Sequence, residues 1–229
     1  MSAPRQRAGG VVFDMDGILI DSEPLFRMAA QQAGADLGHA ISDATYVAWM
    51  GLPPRAVEAA IRSSMGPGFP LDDFRERFRE IWVAHTDTHG VPAQPGMAEL
   101  LAALRARGVP FGVATSTQRD QAERSLALAG LAPLIDFIVA GNEVENGKPA
   151  PDIFLRAASA LGLEPAHCVA LEDSAAGVRA AAGARMLTIM VPDLHPPDAA
   201  IAALARYVLP GTRRAARVVL NIFDHGHLP

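Results

Sequence analysis

The chain has 229 residues, half of them hydrophobic, and carries a formal net charge of −5. This length suits one domain with an insertion, or two small domains. The basic residues are scattered and form no basic stripe, which argues against a nucleic-acid partner.

The single cysteine, Cys168, lies inside a short apolar run and is expected to be a buried core residue. One cysteine allows neither an internal disulfide nor a cysteine-based zinc site, which favours a reducing compartment. The sequence shows neither a signal peptide nor an apolar stretch long enough to span a membrane. We therefore expect a cytoplasmic protein without a membrane partner.

The stretch VVFDMDG contains the most informative residues. The apolar run 11–13 has the length of a buried strand, and Asp14 and Asp16 follow it with one residue between them. Residues two apart in a strand point to the same face, so the two carboxylates converge. Taken alone, the pair is either a catalytic or metal-binding pair, or an acidic turn that caps the next helix.

Residues 20–92 contain only helical patterns. Apolar residues recur there at helical spacing, and no segment alternates as a strand does. We predict helices beginning near Ser22, from Ser42 or Asp43 through Met50, and over 55–65 and 71–85. This region is predicted to be an all-helical domain, inserted into a core made of residues 1–19 and 93–229.

After Pro92, strands and helices alternate. This order predicts a Rossmann-like parallel sheet with helices on both faces. The expected strands span 109–115, 137–140, 168–171 and 186–191, and the expected helices span 97–107, 118–129, 152–161 and 175–184, with less certain segments at 201–204 and 213–222.

Polar side chains follow each predicted strand, at the edge where ligands bind in such sheets. Taken alone, each acidic or hydroxyl group could equally cap a helix, and Lys148 could be an ordinary surface residue. Lys148 is, however, the only lysine in the chain. Carboxylates suit Mg²⁺, and a lysine, a hydroxyl and helix-start N–H groups suit phosphate. Together they predict a phosphate-and-metal site formed by Asp14, Asp16, Thr115, Ser116, Lys148, Glu172 and Asp173.

These motifs resemble those of the haloacid dehalogenase-like hydrolase superfamily, in its phosphatase and β-phosphoglucomutase branch. The resemblance rests on DMDG at 14–17, on Thr115, on Lys148 in GKPAPDIF and on Glu172-Asp173 in LEDSAAGV. Motif order, motif spacing and the helical insertion all match, so the resemblance covers nearly the whole chain. The inserted domain resembles the family's mobile cap, which closes over the site and excludes water.

The resemblance implies a role for each site residue. Asp14 would be the nucleophile that forms an aspartyl-phosphate, and Asp16 the general acid and base. Mg²⁺ would be bound by Asp14, the Asp16 backbone carbonyl and Asp173. Glu172 would either bind the ion as a further ligand or contact the residues that bind it. Thr115, the Ser116 N–H and Lys148 would hold the phosphoryl oxygens.

The reaction class has alternatives. The mutases of this branch carry a histidine in the first cap helix, where this chain has Phe26, and Glu23 completes the DSE sequence common in phosphatases. A phosphatase is therefore favoured over a mutase. A dehalogenase would leave Asp16 and Asp173 unexplained, and an intact aspartate pair argues against a binding protein without turnover.

The expected substrate is a small hydroxylated phosphomonoester, such as a hexose phosphate. Arg55 or Trp49 is a candidate contact for the leaving group, since both flank the loop that resembles the family's specificity loop. Glu23 is a third candidate substrate residue of the cap. Alternatively, Trp49 packs between cap helices and Arg55 is a surface residue. We expect the protein to act as a monomer.

Overall fold

The structure is a computed structural model in which residues 8–50, 54–193 and 196–225 are described. The chain divides into two compact units. We call Met1–Ile20 with Ala93–Pro229 the core unit and Asp21–Pro92 the helical unit.

The core unit is built on a six-stranded parallel sheet, which confirms the predicted Rossmann-like α/β fold. The strands are β1 (Gly10–Phe13), β2 (Phe111–Ala114), β3 (Ile138–Val139), β4 (Cys168–Glu172), β5 (Leu187–Met190) and β6 (Tyr207–Val208). Their order in the sheet is β3-β2-β1-β4-β5-β6, so β1 lies between β2 and β4. The order reverses at β1, and ligands of such sheets bind beyond the carboxyl ends of the strands near this point.

The helices of the core unit cover a sheet whose central strands are buried on both faces. On one face, Val12 and Ala170 pack with Phe154 and Ala181 of two neighbouring helices. Every residue of β1, β2 and β4 is buried, which explains their continuous apolar runs. The helices are α5 (Met97–Ala106), α6 (Arg119–Leu128), α7 (Asp152–Ala160), α8 (Ala175–Gly183), α9 (Ala199–Ala202) and α10 (Thr212–His225).

The helical unit has four helices and no strand in its described residues. Its core is aromatic: Trp49 and Phe74 meet edge to face, and Phe26 stacks on Trp82. The helices are α1 (Glu23–Asp36), α2 (Asp43–Val47), α3 (Pro54–Met65) and α4 (Leu71–His89).

The prediction that the second helix reaches Met50 is wrong, because α2 ends at Val47. The N–H groups of Trp49 and Met50 donate to the carbonyls three residues earlier, at Tyr46 and Val47. This spacing tightens the chain into a turn in place of another α-helical turn.

Strand β6 was not predicted from the sequence. It has two residues, Tyr207 and Val208, too few for any periodicity to show. The uncertain segment 201–204 overlaps only the end of α9, which begins after Asp198; the Asp198 carboxylate accepts a hydrogen bond of 2.8 Å from the Ile201 N–H. Among the residues that the structure describes, no helix combines the length and apolar character needed to cross a membrane.

Candidate active site

Asp14 and Asp16 follow β1 at the carboxyl edge of the sheet. The Asp14 backbone N–H donates to the Leu171 carbonyl at 2.9 Å, so Asp14 continues the pairing between β1 and β4. Its carboxylate is buried, with 6% of the residue exposed, whereas Asp16 is half-buried. A buried carboxylate needs a partner, and Lys148, in the segment between β3 and α7, is the partner of Asp14.

Lys148 connects three strand ends. Its ammonium forms ion pairs with Asp14 and, at 2.5 Å, with Oε1 of Glu172, and donates to the Ala114 carbonyl at 3.0 Å. These partners lie at the ends of β1, β4 and β2, and Lys148 itself is 9% exposed. The structure therefore brings together residues that are more than a hundred positions apart in sequence.

Glu172 organises the loop between β4 and α8. Its Oε2 accepts hydrogen bonds from the backbone N–H of Asp173 at 3.0 Å, and from the N–H and hydroxyl of Ser174 at 3.1 Å each. The Ser174 hydroxyl in turn accepts from the Gly177 N–H and caps α8. A side chain at Gly177 would overlap the Glu172 carboxylate, so glycine is required there.

Gly17 makes room for Asp173. Its backbone has φ +79°, a conformation that glycine adopts without strain. A Cβ added to Gly17 would overlap the carboxylate of Asp173. The Asp173 carboxylate therefore lies directly against the chain that follows Asp16.

Thr115, Ser116 and Thr117 follow β2. Thr115 is buried and its N–H donates to the Val139 carbonyl at 3.0 Å, while Ser116 is exposed. The Thr117 hydroxyl donates to Oδ2 of Asp16 at 2.9 Å. Sequence reasoning did not single out Thr117; its hydroxyl two residues after Thr115, in TST, was the available signal.

The site holds more negative than positive charge. Burial raises the pKa of Asp14 well above its usual value; Lys148 lowers it, whereas Glu172 and Asp16 raise it. Burial also raises the pKa of Asp173, as do the carboxylates of Glu172 and Asp14. Burial alone would lower the pKa of Lys148, but the carboxylates of Asp14 and Glu172 raise it above its ordinary value.

The carboxylates form a cluster that could bind a metal ion. Asp14, Glu172 and Asp173 each offer a ligand oxygen, all within 4.8 Å of one another. Hard divalent cations prefer such oxygens, and a cation would offset the charge that raises these pKa values. The Glu172 carboxylate already accepts hydrogen bonds from the Lys148 ammonium, the Asp173 backbone N–H and the Ser174 hydroxyl. Asp14 and Asp173 are therefore the carboxylates better placed to bind an ion.

The residues predicted to contact the leaving group belong to the helical unit. Trp49 is 4% exposed, packs within the aromatic core and donates its indole N–H to the Ser64 hydroxyl at 3.0 Å. This environment favours the packing interpretation over substrate contact. Glu23 is the half-buried first residue of α1, and the side chain of Arg55 lies outside the described residues.

One family of known proteins matches most of this chain. The sequence model of the haloacid dehalogenase-like hydrolases matches residues 11–191. Hexitol phosphatase A of Escherichia coli is 32% identical, over 81% of this chain and 85% of that protein. A hydrolase of the same family from Deinococcus radiodurans, solved with bound phosphate and sodium, is 30% identical with a TM-score of 0.78, over 95% of this chain and 97% of that one.

Another relative is much longer than this chain. The chloroplastic protein SUPPRESSOR OF QUENCHING 1 of Arabidopsis thaliana is 37% identical over 81% of this chain, which spans only 18% of that protein. The family model covers residues 11–191, the part of the sequence that carries the four motifs. The chain therefore belongs to the haloacid dehalogenase-like hydrolases, in the branch that contains phosphatases and β-phosphoglucomutases.

Proposed function

We propose that this protein hydrolyses a small phosphomonoester through a phosphorylated Asp14, with Mg²⁺ as the cofactor. The observation that carries the proposal is the position of Lys148, in contact with Asp14, Glu172 and the Ala114 carbonyl. One ammonium thereby lies beside the proposed nucleophile and the end of β2, where a phosphoryl group can be held.

Asp14 and Asp16 divide the chemistry between them. An Asp14 carboxylate oxygen attacks phosphorus, and the bond from phosphorus to the leaving oxygen breaks while Asp16 gives that oxygen a proton. Asp16 then accepts a proton from water, whose oxygen attacks phosphorus and breaks the bond to Asp14. Inorganic phosphate leaves, and both aspartates return to their starting states.

Three further groups hold the phosphoryl oxygens in this proposal: the Thr115 hydroxyl, the Ser116 N–H and the Lys148 ammonium. Most of the rate enhancement then comes from positioning and from charge neutralisation. Thr117 orients Asp16 by donating to its Oδ2.

The carboxylate cluster is the proposed magnesium site. Asp14, Asp173 and the Asp16 backbone carbonyl would hold the ion, while Glu172 fixes Lys148 and the Asp173 loop. When bound, Mg²⁺ supplies positive charge that neutralises the phosphate and lets Asp14 approach phosphorus.

Hydrolysis is favoured over phosphosugar mutation. Phe26, at the position of the mutase histidine, is part of the aromatic core of the helical unit. Its ring stacks on those of Trp82 and Phe78, with distances between ring centroids of 4.3 Å and 6.1 Å. A phenyl ring cannot accept or donate the proton that a histidine exchanges.

We propose a sugar phosphate or sugar-alcohol phosphate as the substrate class, by analogy with the related hexitol phosphatase. Glu23 and Arg55 are the proposed contacts with the hydroxylated leaving group. If Arg55→Ala leaves kcat/KM unchanged across a panel of hexose and hexitol phosphates, Arg55 is not such a contact.

The function is tested with p-nitrophenyl phosphate. We expect magnesium-dependent release of nitrophenol, loss of activity in EDTA, and recovery when Mg²⁺ is restored in excess. Asp14→Asn keeps the shape of the side chain but removes the nucleophile, so it should abolish turnover. A folded Asp14→Asn protein with full activity would falsify the proposed function.

A further inference from the structure

The core unit contains a cavity that the proposed chemistry does not use. Its volume is about 580 Å³, and it lies between the segment after β5, Gln94-Pro95 and the start of α10. None of Asp14, Thr115, Lys148, Glu172 and Asp173 lines it, although Gly17, the residue after Asp16, does. Small-molecule sites in proteins have volumes of this order.

Three arginines, Arg213, Arg214 and Arg217, line this cavity from the first two turns of α10. All three are exposed, and no carboxylate of the described residues forms an ion pair with any of them. Asp193 also lines the cavity, so its wall carries three cationic side chains and one anionic one. Most other arginines that the structure describes do form ion pairs: Arg27, Arg62, Arg75, Arg77, Arg79, Arg105, Arg107 and Arg119.

The arrangement is unfavourable for the helix by itself. Arg213 and Arg214 place positive charge in the first turn, where the helix dipole favours negative charge, and that turn has no acidic residue. Arg217 lies four residues after Arg213 and three after Arg214, the spacings at which like charges repel on a helix. A segment that breaks several local rules together, without an ion pair to any described carboxylate, indicates a functional constraint.

We propose that this cavity binds a small multivalent anion, of the class of pyrophosphate or a bisphosphorylated metabolite. A guanidinium group can donate two parallel N–H bonds to phosphate oxygens, and the positive end of the α10 helix dipole also favours an anion. An anion would relieve both the repulsion between the arginines and their conflict with the helix dipole. The proposal does not depend on the hydrolytic function, since it concerns other residues.

The probe is sodium pyrophosphate, titrated by calorimetry into the full-length protein in EDTA at constant ionic strength. The cavity variant is Arg213→Gln with Arg214→Gln and Arg217→Gln. The matched control is Arg179→Gln with Arg185→Gln and Arg206→Gln, which removes the same charge from exposed arginines outside the cavity. We expect the wild-type Kd to rise at least tenfold in the cavity variant and to stay within twofold in the control.

Two results would overturn the proposal. One is a wild-type protein that does not bind pyrophosphate, and the other is a cavity variant that binds it as tightly as the wild type, as binding beside Lys148 would predict. Thermal unfolding measured without pyrophosphate distinguishes a role of these arginines in anion binding from a role in helix stability. Because glutamine is nearly as good a helix former as arginine, the cavity variant should have a Tm equal to or above that of the wild type. A lower Tm with unchanged affinity would assign these arginines to helix stability.

Discussion

The Thr117 hydroxyl donates a hydrogen bond of 2.9 Å to Oδ2 of Asp16, and so connects the loop after β2 to the proposed general acid. Thr117→Val keeps the shape of the side chain but removes the donor. Because hydrogen bonds to charged groups contribute roughly 1.5–3 kcal/mol, we expect kcat/KM to fall about tenfold to hundredfold. Steady-state kinetics with p-nitrophenyl phosphate measures this effect.

Thr117→Ser is the control for that prediction, since it keeps the hydroxyl and loses only a methyl group. It should retain most of the wild-type kcat/KM. Equal losses in both variants would show that packing, and not the hydrogen bond to Asp16, is what matters at Thr117.

Gly17→Ala should weaken metal binding, because the added Cβ overlaps the Asp173 carboxylate. We expect the Mg²⁺ concentration for half-maximal activity to rise at least tenfold, about 1.4 kcal/mol in binding free energy. Gly108→Ala is a matched control: Gly108 also has a positive φ, of +65°, but no atom lies within 4 Å of its added Cβ. An unchanged magnesium requirement in Gly17→Ala would contradict the proposed position of the ion.

Lys148→Met should destabilise the protein in the absence of Mg²⁺. The substitution leaves Asp14 and Glu172 buried without their shared cation, and breaking a buried ion pair costs about 3–5 kcal/mol. Urea unfolding in EDTA at about pH 7.5 measures the loss. Arg179→Met, on the exposed face of α8, should change the free energy of unfolding by less than about 0.5 kcal/mol.

The stabilisation by Mg²⁺ should depend on pH. The pKa values of Asp14 and Asp173 are raised in the folded protein, so the folded state binds more protons than the unfolded chain. Without Mg²⁺, stability therefore falls as pH rises from the ordinary carboxyl pKa of 3.8 through the raised values. The pKa of Lys148 is raised, so this group stays protonated across that interval and adds no slope.

Magnesium binds the deprotonated carboxylates, so its effect grows over the same interval. We expect Mg²⁺ to raise the Tm more at about pH 7.5 than at about pH 5. Asp173→Asn should flatten this difference. An equal shift at both pH values would show that Mg²⁺ does not compete with protons at these carboxylates.

The sequence predicted the meeting of distant residues because parallel strands place their carboxyl ends at one edge. Asp14, Lys148 and Glu172 could be assigned to that edge from the strand pattern alone. The hydrogen-bond partners of these side chains could not be predicted in this way, because they depend on loop conformations. The Glu172 carboxylate contacts Ser174, and Gly177 leaves room for it, only because the chain turns sharply into α8.

Thr117 illustrates what sequence patterns do not predict. Its contact with Asp16 joins two loops separated by 101 positions, and neither loop has a period that fixes its side chains. The surroundings of the α10 arginines could likewise not be predicted from the sequence. A helical pattern predicts which face of α10 is polar, but not that this face borders a cavity lined by Gly17 and Asp193.

The proposed mechanism depends most on Asp14 forming a covalent bond to phosphorus, which acid quenching during turnover tests directly. Borohydride reduces an acyl phosphate to an alcohol, and mass spectrometry of the peptides locates the reduced residue. We predict that the peptide spanning β1 is reduced at Asp14 only when substrate and Mg²⁺ are both present. Full hydrolytic activity with no modification at Asp14, in an experiment that traps a known aspartyl-phosphate enzyme, would contradict the account.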